Sequence, residues 1–213
     1  MRVERISVDE ARPWILGKHY AKRMPPITHA FGLMDGCMPV GVVAYGMPAC
    51  QANASMGEHP MIELVRLVVD SAERNASSFL VANSLKLLPA PMAVVSYADI
   101  SMGHIGFVYQ ATNWIYTGIS RGDVEYVIDG KHVHRKHAHN LYGTGSKKLL
   151  EGMGMQVESI RQGDKHRYYY FLGSKTERRE MANSLKHPIL PYPKGETKRY
   201  DASTKIERQV ALF

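Results

Sequence analysis

Asp99 closes a short apolar run, Met92 to Asp99, and Tyr109 and Asn113 follow it four residues apart. A carboxylate at a strand end, beside a phenol and an amide on one helix face, is a general acid/base constellation. Two readings of Tyr109 stand at this point, a member of that constellation or a packed core side chain. A second candidate is the turn Asp70 to Asn75, which leads into a helix. The free backbone N–H groups of Arg74, Asn75, Ala76, Ser77 and Ser78, with the helix dipole behind them, could hold a phosphate. Ordinary capping by Asn75 or Ser77 explains the same residues.

On the helix after that turn, Ser84 shares a face with Leu80, Leu87 and Leu88. A hydroxyl in an apolar stripe is either bonded back to the carbonyl four residues earlier or employed in a cleft. The densest polar cluster is Lys131 to His139. His132 and His134 fall on the same side of a strand, which suits a metal pair, but the cations among them oppose a divalent ion and favour phosphate. His19 and Tyr20 are adjacent, so only an irregular backbone would aim both at one ion.

Composition narrows the class. The chain has 213 residues, 45% of them hydrophobic, enough for one domain that buries about 70% of its unfolded surface. Two cysteines, Cys37 and Cys50, exclude a disulfide framework and a four-thiolate zinc site. No apolar run approaches the roughly 20 residues of a membrane span. With no apolar signal segment at the start, the expected location is the cytoplasm, without a membrane partner.

The net charge is +7, and its location matters more than its size. Residues 1–120 balance nine basic against nine acidic side chains, whereas 121–213 hold eighteen against eleven. A segregated excess points to a polyanion on one side of the molecule. Tyrosines interleave the cations there, including Tyr168, Tyr169, Tyr170, Tyr192 and Tyr200, as base stacking beside phosphate binding would require.

The elements that must position these residues follow from pattern. A helical lead, Val8 to Tyr20, ends before the Met24-Pro25-Pro26 break. Strands around Phe31–Met34 and Val40–Tyr45 flank Asp35-Gly36 as a hairpin, and a loop of small residues runs from Met47 to Pro60. Ile62–Val69, Ala76–Leu88 and Met92–Asp99 read as strand, helix and strand, a βαβ unit with parallel pairing. A second helix is expected over Gly103 to Trp114. Val124–Ile128 and Lys131–His134 form a hairpin around Asp129-Gly130, and a helix covers Ser146 to Glu151. Gln156–Ile160 and His166–Leu172 are expected to form another hairpin around Gln162–Lys165. A helix over 175–186 follows, and 187–213 is a basic, proline-punctuated tail. The expected class is α/β (α+β), a mixed central sheet with a parallel βαβ core flanked by helices and hairpins. One domain spans 1–186, its basic half beginning near 121.

Several stretches together resemble the Mom family of phages. They are Glu63 to Val69, Ser78 to Leu85, Val95 to Asp99, and Gly103 to Trp114 with its Tyr109-Gln110-Ala111-Thr112-Asn113-Trp114 core. His19-Tyr20, Tyr142-Gly143-Thr144 and Lys165 to Tyr168 match as well. The match runs in order from about residue 15 to 195. The resemblance implies a divergent GNAT acyltransferase fold in a phage- or prophage-encoded protein of the bacterial cytoplasm. It implies conversion of adenine in DNA to an N6-carbamoylmethyl derivative that blocks host restriction. By motif position it assigns functional roles to Arg66, Ser84, Asp99 and Tyr109, with His19 and Tyr20 as the His-Tyr pair. Iron, held by His19, Tyr20 and Asp99, and acetyl-CoA or a related acyl donor are the associated cofactors. One departure is the absence of glycine from Glu73 to Ser78, where GNAT enzymes have a glycine-rich pyrophosphate loop.

The expected function is a transferase acting on the exocyclic amine of adenine in double-stranded DNA. Asp99 takes the proton or orients the amine, Tyr109 is its hydrogen-bonding partner, and Arg66 balances charge. Lys131, Arg135, Lys136, Lys165 and Arg167 hold the DNA backbone. The alternatives are an ordinary GNAT-type N-acyltransferase with an acidic partner and a non-catalytic DNA-binding accessory protein. The number of subunits, a homodimer included, is left open.

Overall fold

The computed structural model describes residues 1–48 and 55–196, with every side chain among them except those of 134–136. An eight-stranded sheet forms the body. Its order is β1 (Arg2–Ile6), β2 (His29–Asp35), β3 (Met38–Gly46), β5 (His59–Val69), β6 (Met92–Asp99), β11 (Lys165–Leu172) and β7 (Ile115–Ser120), and β4 (Ser55–Met56) turns back on β5. All neighbours are antiparallel except β5 and β6. The mixed α/β class with one parallel βαβ unit is therefore as expected.

Period-two alternation decides which helix covers which face. Val43, Tyr45, Val94 and Tyr168 point into a core shared with Leu80, Val81 and Leu85 of α2 (Ala76–Lys86). Their neighbours Ala93, Val95, Tyr169 and Phe171 turn the other way, onto Met181 of α6 (Lys175–Asn183). Val42 and Ala44 also turn away, against Ala11 and Ile15 of α1 (Val8–Lys18). Helix α1 starts on a capping box in which Ser7 and Glu10 satisfy each other's backbone N–H. Ser174 and Glu177 do the same for α6.

Between β7 and β11 the chain builds a second, three-stranded sheet, β10 (Val157–Arg161), β8 (Val124–Ile128) and β9 (Lys131–His134). Helices α4 (Arg135–Tyr142) and α5 (Lys147–Gly152) cover it, and Tyr126, Ile128, Val133, Ala138, Leu150 and Val157 form its own core. The chain enters and leaves at one neck. There Gln162 N–H donates to the Asp123 carbonyl at 2.8 Å and Gly122 N–H to the Asp164 carboxylate at 2.9 Å. Gly122 must be glycine, because a Cβ would lie 1.9 Å from the Gln162 carbonyl oxygen.

Several expectations are corrected. Residues 156–172 are not a hairpin: β10 pairs β8 in the small sheet, while β11 pairs β6 and β7. Four of the five β10 side chains are exposed, but His166, Tyr168, Tyr169 and Phe171 of β11 are buried, so β11 takes an inner position. The helix expected over 103–114 is only α3 (Phe107–Ala111), and Asn113 lies beyond it with φ 59°. Strands β1 and β7 and helix α4 were not anticipated. Of the expected small-residue loop, 49–54 lies outside the described residues. The tyrosines read as a stacking platform are mostly core: Tyr168 and Tyr169 are buried, Tyr170 packs against that core, and Tyr200 lies outside the described residues. The start of the tail lies along β7, with Leu190 N–H on the Tyr116 carbonyl at 3.0 Å and the Tyr192 hydroxyl on the Trp114 carbonyl at 2.6 Å.

Candidate active site

Strands β5 and β6 share only four rungs, Met61 to Leu64 against Ala93 to Ser96. Both run on past the last rung, to Val69 and Asp99. A bulge at Val65, between the Ala44–Arg66 and Tyr45–Leu64 pairs, turns β5 where the pairing ends. The gap is a cleft of about 530 Å³ lined by Val65–Val69, Tyr97 and Ala98, the turn Glu73–Ser78, His19, Tyr20, His104 and Tyr109. Ligands in open α/β sheets bind beyond the carboxyl ends of parallel strands, where this gap lies.

At one end of the cleft, α2 begins on Asn75 with no side-chain cap. Its first-turn amides are therefore not taken by a side-chain oxygen, and Ala76, Ser77 and Ser78 line the cleft. Asn75 itself is left-handed at φ 62°. Asparagine tolerates that conformation, so the turn is made without the glycine whose absence the sequence shows.

Elsewhere the lining is aromatic. The His19 ring stacks on Tyr20 at 4.3 Å, and Tyr20 meets His104 edge-on at 5.8 Å. Burial, reinforced by Arg66 and His104, pushes the His19 pKa down to about 3, so the ring is neutral. Burial and then nearby Asp99 raise Tyr20, while burial lowers His104 against an opposing pull from Asp99. Arg66 gives hydrogen bonds to the carbonyls of Val65 and Arg23, and its Nε is buried without a partner. Burial and then Arg23 lower the Arg66 pKa.

Tyr109 is buried and its pKa is raised by burial. Its hydroxyl meets Ser96 Oγ at 2.8 Å, so it is not the hydrogen-bonding partner expected for Asp99. Asp99 stands at the cleft's edge, where one carboxylate oxygen accepts from Ser101 N–H and Ser101 Oγ–H and caps a 3₁₀ turn. Ser84 is not in the lining. It is fully buried on the core face of α2, bonded to the Val81 carbonyl three residues earlier and to the Tyr45 hydroxyl. The cleft thus gathers Arg66, Tyr109, His19, Tyr20 and residues 74–78, with Asp99 beside it. Missing from the sequence reading were Ser96, His104 and Phe107. The glycines Gly103 and Gly106, both at positive φ, mark the turn that brings His104 in.

The expected DNA contacts are divided. Lys131 is exposed on the small sheet, while Lys165 and Arg167 lie on β11. Arg167 donates through Nε and Nη2 to the hydroxyl and carbonyl of Thr117. The side chains of His134, Arg135 and Lys136 lie outside the described ones. His132 pairs with buried Glu125 at 3.0 Å, and the other half of the expected metal pair, the His134 side chain, is one of those outside the described ones.

For iron, the residues do not fit. Among the described residues, no three imidazole, thiolate or carboxylate side chains converge on a point. The Nδ1 of His19 accepts from the Ala21 N–H at 3.0 Å, whereas a ligating imidazole gives its second ring N–H to an acceptor. No helix among the described residues is long and apolar enough to cross a membrane.

Residues 1–194 match the model of the Mom protein family. The chain belongs to the Mom protein family. It is 28% identical over 208 residues to the methylcarbamoylase Mom of Escherichia phage Mu, covering 91% of this chain and 84% of that one. Among solved structures, an acetyltransferase of Bacillus subtilis in complex with CoA is similar to this Mom-family chain. Its identity is 15% with a TM-score of 0.45, over 81% of this chain and 99% of that one. An aminoglycoside 6'-N-acetyltransferase of Enterococcus faecium is 9% identical with a TM-score of 0.46, over 82% and 99% of the two chains.

Proposed function

We propose that this Mom-family protein is a transferase that modifies the exocyclic amine of adenine in double-stranded DNA. The product is an N6-carbamoylmethyl (glycinamide-like) base that protects the DNA from restriction. The observation that carries this reading is the cleft between β5 and β6, with an uncapped helix N-terminus at one end and the aromatic wall of His19, Tyr20 and His104. One end suits a phosphate-bearing donor and the wall suits a flat base. The membership in the Mom family and the methylcarbamoylase of phage Mu favour the same chemistry.

The amine of adenine is a weak nucleophile because its lone pair is delocalised into the ring. Catalysis requires the nitrogen to be held in line with the donor carbon and its proton to be removed as the new bond forms. Asp99 is the carboxylate that takes that proton or orients the amine; one of its oxygens is held by Ser101. Arg66, with its unpartnered Nε, balances charge that develops on the donor. Residues 74–78 would hold the phosphates of acetyl-CoA or a related donor. Because the product joins N6 to a methylene carbon, that donor would have to present the CH2 with a leaving group, whereas attack on an acyl carbonyl would give an N6-acyl amide. Extruding the base from a duplex costs a few kcal/mol, which exposed cations such as Lys131, Lys147 and Lys148 offset through phosphate contacts.

Mass spectrometry of deoxynucleosides from cells expressing the protein tests the reading. A new deoxyadenosine mass is expected. Unmodified DNA, bound by the protein all the same, would indicate an accessory DNA-binding protein instead.

A further inference from the structure

The two nitrogens of the His19 ring are in different states. The backbone N–H of Ala21 donates to Nδ1 at 3.0 Å. A backbone amide nitrogen offers only a hydrogen, so Nδ1 presents its lone pair and the proton of the neutral imidazole sits on Nε2. The residue is 6% exposed and lines the cleft. Among the described residues, no hydrogen-bond acceptor is found for Nε2. Among the described residues the buried side-chain atoms without a partner are Arg66 Nε and Trp114 Nε1, so Nε2–H of His19 opens onto the cleft and can donate to whatever fills it.

Resting on the function proposed above, we infer that Nε2–H of His19 reads the target base, donating to a ring nitrogen that flanks its exocyclic amine, N1 or N7. The neighbourhood favours a base over a donor carbonyl. Tyr20 stacks on the same ring at 4.3 Å and His104 meets Tyr20 at 5.8 Å, a wall of aromatic faces and edges suited to a planar heterocycle. The phosphate-binding end of the cleft belongs to different elements, the turn after β5 and the start of α2. If the contact is N1, it also selects. Adenine presents a lone pair there, while guanine presents N1–H and thymine N3–H, so two donors would face each other. A site built to hydrogen-bond one partner rejects another that leaves it unpaired.

The test uses the full chain and duplexes in which the target adenine is replaced by 1-deazaadenine or 7-deazaadenine. Each is assayed for affinity by fluorescence anisotropy and for modification by mass spectrometry, with wild type, His19→Leu and His19→Gln. One of the two deaza bases should cost wild type about tenfold, the size of one lost neutral hydrogen bond. His19→Leu should lose the same factor on adenine and nothing more on that deaza base. His19→Gln, which retains an N–H near the Nε2 position, should recover part of it. Equal losses by His19→Leu on all three bases would overturn the inference. So would one iron per wild-type chain, measured by elemental analysis, that His19→Gln removes. If wild type modifies no adenine, the proposed function fails, and the affinity arm still decides whether His19 reads the base.

Discussion

The Tyr109 phenol and the Ser96 hydroxyl meet at 2.8 Å on the last rung that β5 and β6 share. Ser96 also reaches the Leu64 carbonyl at 3.1 Å across that rung. The Ser96 hydroxyl has one hydrogen, placed between two acceptors, the Tyr109 hydroxyl and the Leu64 carbonyl. The phenol at the cleft floor is thus tied to the point where the strands part.

Tyr109→Phe should abolish modification while lowering stability by only about 1 kcal/mol, since Ser96 keeps its bond to Leu64. Thermal melting and nucleoside analysis of the same preparation check both halves. Retained modification would reduce Tyr109 to a packing side chain.

Asp99→Asn separates chemistry from capping. Asparagine caps nearly as well as aspartate, so the Ser101 bond and the 3₁₀ turn should survive with a change of less than about 1 kcal/mol. It cannot take a proton, and turnover at saturating DNA should collapse. Near-normal levels of modified adenine in cells carrying the variant would remove Asp99 from the site.

Buried His19 makes stability acid-sensitive. Its pKa, lowered from 6.5 to about 3 in the native state, means that the unfolded chain takes up the proton first. The stabilisation is full above pH 6.5 and is lost as pH falls toward 3. Between pH 7 and pH 5 this single group should cost on the order of 2 kcal/mol, and His19→Gln should flatten that part of the profile. Denaturant titrations at the two pH values read it directly. An identical slope in the variant would show that other histidines carry the effect.

Exposed Lys131 and tied Arg167 should behave differently. Lys131→Ala should reduce the salt dependence of DNA binding by about one counterion on every sequence. Arg167→Ala should mainly lower the melting temperature, because its guanidinium is engaged by Thr117. A salt slope that falls in Arg167→Ala and not in Lys131→Ala would put the duplex on β11.

Two glycines should respond with opposite sign. Gly122→Ala places a methyl 1.9 Å from a backbone oxygen and should destabilise by about 1–3 kcal/mol. Gly152, in α5, has open space around it, and its change to Ala should stabilise by about 0.4–1 kcal/mol. Melting curves of both variants suffice.

What the sequence made legible was local. Asp35-Gly36 and Asp129-Gly130 announce their hairpins because the turn residues sit inside them, and β5-α2-β6 shows its spacing within one stretch. Strand β7 was missed because its pairing is with β11, far away by chain, where Tyr116 lies opposite Tyr168. The hairpin read at 156–172 failed for the converse reason, since Gln162 to Asp164 has turn composition but serves as a neck. In the site, Arg66, Tyr109, His19 and Tyr20 were recognisable through the family resemblance. The bond from Ala21 to His19 was not, because it depends on how the chain leaves α1. Nor was the engagement of Ser84 by Tyr45, a contact between distant segments.

The neck at Gly122 and Gln162 gives the small sheet the standing of a cassette. Its two ends are already joined by hydrogen bonds before the chain departs and after it returns, and its core is separate from the main one. Residues 123–161 can therefore be lengthened, trimmed or exchanged among relatives without disturbing the strand order that shapes the cleft. Changes in this unit and changes in the cleft can then accumulate on different parts of one chain.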